Sequence, residues 1–224
     1  MQGHNALFVG NCMKYLEDVV IDNVSWFRRV TNYGQIALLS LAKAGQFDLM
    51  ASGLAPRRAT FQVAAANPVG DTGISAYWCP FESGDGLPGW VDLPLLNPTH
   101  KFMFTASMQG CALVVTESPK PRHIRLYHHQ HPEMSHRSGP SVWNALHSSG
   151  QPVLSMLDFD EYGTTGLNGN APNAFNFLYY RNATWNYVTQ AHILLNAVGP
   201  NGATIEVNRR PVHGTNGVSI RSLR

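Results

Sequence analysis

The hydrophobic pattern divides the chain into a helical first part and a strand-rich remainder. Between residues 13 and 47, Val30, Ile36, Leu39 and Leu41 supply one apolar helical face. Asn23 or Ser25 is placed to cap such a helix, and Gly45 reads as a stop signal. Gly34 weakens the pattern, because glycine costs roughly 1 kcal/mol inside a helix, and marks a point where two helices can divide. From residue 59 the texture changes. Ala59–Ala66, Ile74–Phe81, Lys101–Ala106, Ala112–Thr116, His123–His128 and Val153–Phe159 are short runs rich in β-branched and aromatic residues, separated by Pro, Gly, Asn and Asp. Phe175–Tyr180 and Trp185–Thr189 flank Arg181-Asn182-Ala183-Thr184, which reads as a hairpin loop, and 203–207 reads as a final strand. The run 82–98, with three prolines and three glycines, reads as a long loop. The expectation is an α+β protein: one or two mixed β-sheets with surrounding helices and long loops, in a single domain over residues 1–224.

Composition narrows the function classes. Of 224 residues only 13% are charged, while 44% are hydrophobic, so a packed core is expected rather than disorder. The net charge is +2 and no basic cluster exceeds a pair such as Arg57-Arg58 or Arg209-Arg210, so no nucleic-acid footprint is present. The longest apolar stretch, Ile36 to Ala44, is interrupted by Ser40 and Lys43 and is too short to span a bilayer. The first twenty residues lack the basic-then-apolar order of a classical signal peptide. Three cysteines, Cys12, Cys79 and Cys111, are too few and too irregularly spaced for a disulfide framework, which favours a reducing working environment.

The chemistry-bearing stretch is Lys101 to His131. Phe102-Met103-Phe104-Thr105 makes a buried strand, Cys111 opens a second strand, Pro119 and Pro121 force a turn, and His123 opens a third. A hairpin of this shape can face Cys111 with His123, although register alone does not guarantee it. The pairing would suit a thiol nucleophile. The thiolate is the reactive form, a neighbouring imidazolium stabilises it, and the same imidazole shuttles protons. Gly110 allows close backbone approach, and the Cys111 N–H is placed to meet an oxyanion. The bland alternative is a cysteine serving as a small buried hydrophobe.

Other groups weigh less. His128, His129 and His131 invite a metal, but strand alternation puts His128 on the opposite face from the other two, so they read as a polar rim and no metal is expected. Asp158, Asp160 and Glu161 read as a solvated strand end. Gly84–Gly89 lacks the strand-before-helix context of a phosphate loop. Asn182 matches a glycosylation sequon that carries meaning only with secretion through an oxidising pathway. Tyr179 and Tyr180 are possible rim residues, though aromatic strand residues are usually core.

Met108-Gln109-Gly110-Cys111, with His123 twelve residues on and Thr105 six residues before the cysteine, resembles the catalytic core shared by Burkholderia lethal factor 1 and the cytotoxic necrotizing factors. These are bacterial toxin glutamine deamidases with a Leu-Ser-Gly-Cys motif. Met108 and Gln109 depart from that motif, and Gln109 is a possible rim residue. The resemblance implies a sandwich of mixed sheets. It implies that Cys111 attacks a glutamine carboxamide, that His123 transfers protons, and that the Thr105 carbonyl orients His123. It also implies a toxin or effector delivered by a bacterium and acting in host cytoplasm, needing no cofactor. The substrate would be a host protein, a GTPase or a translation-initiation helicase among the relatives, and a monomer is expected. Two further readings stay open: another Cys–His hydrolase, such as a peptidase, transglutaminase or acyltransferase, and a non-enzymatic host-binding module.

Overall fold

The computed structural model describes residues 3–23, 33–51, 57–64, 73–81, 88–108, 110–129, 152–162, 172–195, 204–207 and 217–223. The first part carries α1 (His4–Gly10), α2 (Cys12–Asp18), β1 (Val20–Asp22) and α3 (Tyr33–Ala42). Strands then dominate: β2 (Ala44–Ala51), β3 (Arg58–Val63), β4 (Ile74–Cys79), β5 (Trp90–Pro94), β6 (Phe102–Thr105), β7 (Ala112–Glu117), β8 (His123–His129) and β9 (Val153–Leu157). A short helix α4 (Phe159–Tyr162) precedes β10 (Pro172–Arg181), β11 (Thr184–Leu195), β12 (Thr204–Val207) and β13 (Val218–Ser222). Among the described residues, one sheet has nine strands in the order β1-β3-β2-β4-β6-β10-β11-β12, with β13 also on β11. The other has four, β5-β8-β7-β9. The large sheet is mixed, with β1–β3 and β4–β6 parallel and its other pairs antiparallel. The α+β architecture of two packed sheets agrees with the expectation, with the large sheet mixed and the small one antiparallel throughout.

Strand β6 shows how the sequence builds two cores. Side chains alternate across a sheet, so Phe102 and Phe104 join one cluster while Met103 joins another. The first cluster lies beneath the helices. Phe8, Cys12, Tyr15 and Leu16 descend from α1 and α2, and Leu39 from α3. Phe104 is its hub, with ring centroids 4.9 Å from Phe61, 5.2 Å from Phe47 and 5.6 Å from Phe177. Each such pair contributes roughly 0.5–1.5 kcal/mol beyond its buried area. The second cluster fills the space between the sheets, with Met103, Leu178 and Trp185 from the large sheet meeting Leu113, Val115 and Leu126 from the small one.

A buried amide fastens the N-terminal layer to strand β11 of the large sheet. Gln190 of β11 accepts the Ile21 N–H at 2.9 Å and donates to the carbonyls of Leu16 and Val19, both at 2.8 Å. Its carboxamide is thereby used at both ends, as a fully buried amide must be.

Several local expectations change. Gly45 does not stop a helix. Helix α3 has already ended at Ala42, Lys43 turns the chain with φ 57°, and Gly45 sits within β2. Gly34 lies inside α3 rather than between two helices. Asn23 is fully buried and donates to the Ala174 carbonyl instead of capping, while Ser25 and Val30 lie outside the described residues. The run 82–98 is not loop throughout. Val91 and Leu93 alternate into the inter-sheet core, so β5 forms despite the surrounding prolines, with Pro94 as its last residue. The loop at Arg181–Thr184 tightens to a two-residue turn, because Asn182 and Ala183 both adopt left-handed backbone (φ 55° and 58°) and Arg181 pairs directly with Thr184. Strands β1 and β13 and helix α1 carry no pattern that sets them apart in sequence.

Gln190→Ala leaves a buried N–H, a buried carbonyl and a part-buried one without that partner. It is expected to destabilise the protein by about 3 kcal/mol, since each orphaned buried group costs roughly 1–3 kcal/mol. Urea unfolding measures this, and a loss below that of an ordinary surface substitution contradicts the fastening role.

Candidate functional site

Cys111 enters β7 through a turn that glycine makes possible. Gly110 has φ +74°, and a Cβ there would touch nothing within 4 Å, so conformation alone selects glycine. Alternation then turns the sulfur inward. Cys111 is 5% exposed and packs in the inter-sheet core with Leu113 and Val115. Its carbonyl accepts the hydroxyl of Tyr162 at 2.5 Å, and that tyrosine is itself completely buried. Burial first, then the proximity of Cys111 and Asp158, pushes the Tyr162 hydroxyl well above its ordinary pKa.

His123 is not beside this thiol, which corrects the expected pair. In the β7–β8 hairpin Ala112 faces His129 and Glu117 faces Ile124. Cys111 therefore starts one end of the ladder while His123 lies at the other, roughly 20 Å away at 3.3 Å per residue. Their faces differ too. Ile124 and Leu126 point into the inter-sheet core, so His123 points to the opposite side of the sheet. The physical reason is the length of the arms. Thr116 and Glu117 remain in strand, and the turn is set by Pro119 and Pro121, so the hairpin centre falls beyond the position that would oppose residues 111 and 123.

Thr105 does meet a histidine, but it is His128, and through the hydroxyl. Thr105 Oγ1 donates to the Cys79 carbonyl at 2.8 Å, so it accepts from His128 Nδ1–H at 2.6 Å. The Nδ1–H tautomer follows, with Nε2 unprotonated and without a hydrogen-bond partner among the described residues. Burial, and then neighbouring His129, drives the His128 pKa down to about 3. The ring is neutral at physiological pH and cannot stabilise a thiolate by charge. His128 and His129 are both completely buried, so they are not a polar rim, and His131 lies outside the described residues. The alternation that separates their faces in sequence is present, but it sends His128 into the core. No cluster of metal-ligating side chains occurs among the described residues.

The remaining expected site residues scatter. Tyr179 is stacked on Phe102 with centroids 5.0 Å apart, on the helical side of the large sheet. Tyr180 packs edge-on to Trp185 and donates to the Leu95 carbonyl at 3.4 Å, far along β10 from the cysteine end. Gln109 lies outside the described residues. Glu161 is not a free acid: it accepts the Asp158 N–H and pairs with Arg221 at 3.1 Å.

His123 instead lines a groove of about 880 Å³ at the hairpin tip. Val115, Ile124 and Trp185 form its apolar wall, and Lys120 and Arg122 stand at its edge with Glu117. The tip is held firmly. Asp92 of β5 takes a two-pronged bond from Arg125 (2.7 and 3.0 Å) and a further one from Ser118 at 3.0 Å. Arg125 lies over the Trp90 ring at 3.8 Å. Burial alone would raise the Asp92 pKa, but the Arg125 and Ser118 hydrogen bonds and the nearby cations outweigh it and hold the carboxyl below its usual range. Leu95 N–H binds the Arg122 carbonyl at 2.9 Å, and the His123 Nδ1–H donates to the Pro121 carbonyl at 2.8 Å. Lys120 and Arg122 escaped notice in sequence. Their signal was a Pro-Lys-Pro-Arg run, which also looks like any solvated turn.

A family model described as the Mcf1 activator-binding domain matches residues 41–200, which covers the small sheet and, from the large one, β2, β3, β4, β6, β10 and β11. Mcf1 is a Photorhabdus toxin. The association with bacterial toxins agrees with the expectation, whereas the lethal factor and necrotizing-factor group is not the one matched. No curated protein matches the chain.

The buried histidines set a pH dependence. His192, like His128, is pushed to about 3 from the ordinary 6.5, by burial first, with Asp22 opposing and Arg58 assisting. Both are neutral when folded and take up protons when unfolded, so their contribution is complete above 6.5 and is lost as pH falls towards 3. Each adds a slope of about 1.4 kcal/mol per pH unit within that window. Urea midpoints should fall steeply from pH 6 to pH 4, and a flat profile contradicts neutral burial.

Proposed function

Because the chain belongs to the Mcf1 activator-binding domain family, we propose that it is the partner-binding module of a bacterial toxin and engages an activator protein inside host cells. The family match over most of the chain carries this reading. The surroundings of the cysteine support it: a thiol 5% exposed, a neutral buried histidine on its side of the sheet, and the exposed-side histidine at the far end of the hairpin. Buried structural thiols are inert as nucleophiles. No helix among the described residues is long and apolar enough to cross a membrane.

One observation favours a second reading, thiol-dependent glutamine deamidation. Thr105 grips His128, and His128 faces the same inter-sheet space as Cys111. In that reading His128, not His123, is the base. The Cys111 proton passes to Nε2 and sulfur bonds to the carboxamide carbon. Ammonia leaves with the proton, and water then splits the thioester to give glutamate.

The two readings part on Cys111. For the binding module, native Cys111 reacts with a thiol reagent at least about tenfold more slowly than after denaturation. Cys111→Ser then binds the activator as tightly as the unmodified chain, and the activator keeps its mass. A glutamine-to-glutamate mass gain on the activator that disappears with Cys111→Ser overturns the binding-only reading.

A further inference from the structure

We infer that the groove at the tip of the β7–β8 hairpin docks a segment of the activator in which apolar side chains are flanked by carboxylates. This rests on the binding-module reading and adds where the partner sits and what chemistry it presents.

Volume comes first. At about 880 Å³ the groove is of the size that takes a small ligand or a few side chains. Its lips are apolar where water would be expected: Leu96 is 63% exposed and Leu154 49%, and both line it. Two exposed leucines on the rim of one apolar-walled groove mark a binding surface more readily than scattered single ones do.

Charge then selects the occupant. Lys120 and Arg122 edge the groove against Glu117, the single lining carboxylate among the described residues. Lys120 reaches Asp92 at 3.6 Å but its side chain stays 63% exposed, so the ammonium keeps donors for a ligand. Arg122 holds a left-handed backbone, φ 59°, where most side chains are disfavoured. The Leu95–Arg122 and His123–Pro121 hydrogen bonds and the Ser118–Asp92 link keep this tip in one shape. A rigid cationic edge lowers the ordering cost on binding. Other polyanions fit less well. Trp185 is 1% exposed, with its indole N–H spent on the Pro94 carbonyl, and offers no ring for base stacking. The surface is concave, whereas a membrane takes a protruding apolar face.

The test uses the full chain and fluorescent synthetic peptides in three sets: Leu/Phe centres flanked by Glu, the same centres flanked by Lys, and Ala centres flanked by Glu. The Glu-flanked apolar set should bind best. Lys120→Gln/Arg122→Asn should weaken it about tenfold, with asparagine chosen because it tolerates the left-handed backbone. Leu154→Ser should weaken it through the apolar lip, and Lys14→Gln on α2 should not change it. Urea unfolding confirms that each variant is folded. Equal binding of Lys-flanked peptides, no binding of the Glu-flanked apolar set, or groove-dependent binding to phosphatidylserine vesicles or single-stranded DNA instead overturns the proposal. If the double variant still captures the activator from host cytosol as the unmodified chain does, the groove assignment fails while the binding-module reading stands. No capture by the unmodified chain removes both.

Discussion

Four residues of one strand separate two hydrophobic interiors, and both depend on their strict alternation. Phe102 and Phe104 complete an aromatic cluster under the helices, while Met103 and Thr105 face the smaller sheet. All four are buried, and the strand is paired on both sides, parallel to β4 and antiparallel to β10. A slip of one residue would exchange the faces, setting a hydroxyl among phenylalanines and a ring against His128. The helices above and the four-stranded sheet below are therefore both positioned by one register.

That register also decides the fate of the buried polar groups. Thr105 stands at the end of the strand, where its hydroxyl bridges the Cys79 carbonyl and the His128 ring. Gly89 completes the same corner, accepting the His128 N–H at 3.0 Å and the Cys79 thiol at 3.6 Å. A Cβ on Gly89 would collide with the Pro80 carbonyl, so this close approach is available only to glycine. The polar corner joins the two sheets by hydrogen bonds that the apolar core around it shields from water.

Much of this fold was legible because short runs of β-branched and aromatic residues stand between Pro, Gly, Asn and Asp. Strands β3, β4, β6, β7, β8 and β9 fall within a few residues of their sequence-based limits. The hairpin of β10 and β11 was legible for the same reason. Strand β5 was hidden because Pro88 and Gly89 precede its Trp90–Leu93 and Pro94 ends it, and only its pairing with β8 reveals it. The site was less legible. Cysteine, threonine and histidine stood at suggestive intervals, but spacing along a chain does not fix where a hairpin turns. Extending β7 through Thr116 and Glu117 moved the expected partner to the far end and the other face. The groove that replaced it assembles Leu96, Lys120, Leu154 and Trp185 from separate elements, so no contiguous motif announces it.

The amide of Gln190 has a consequence for the order in which the molecule takes shape. It clasps residues that precede it by 169 to 174 positions. The opening helices cannot seat when they leave the ribosome; their clasp is made almost a whole chain later. Contacts of such span close slowly, since the intervening loop must first be brought together. A chain threaded out from its C-terminal side would lose β13, β12 and the end of β11, and the clasp with them, before the strands of the small sheet part.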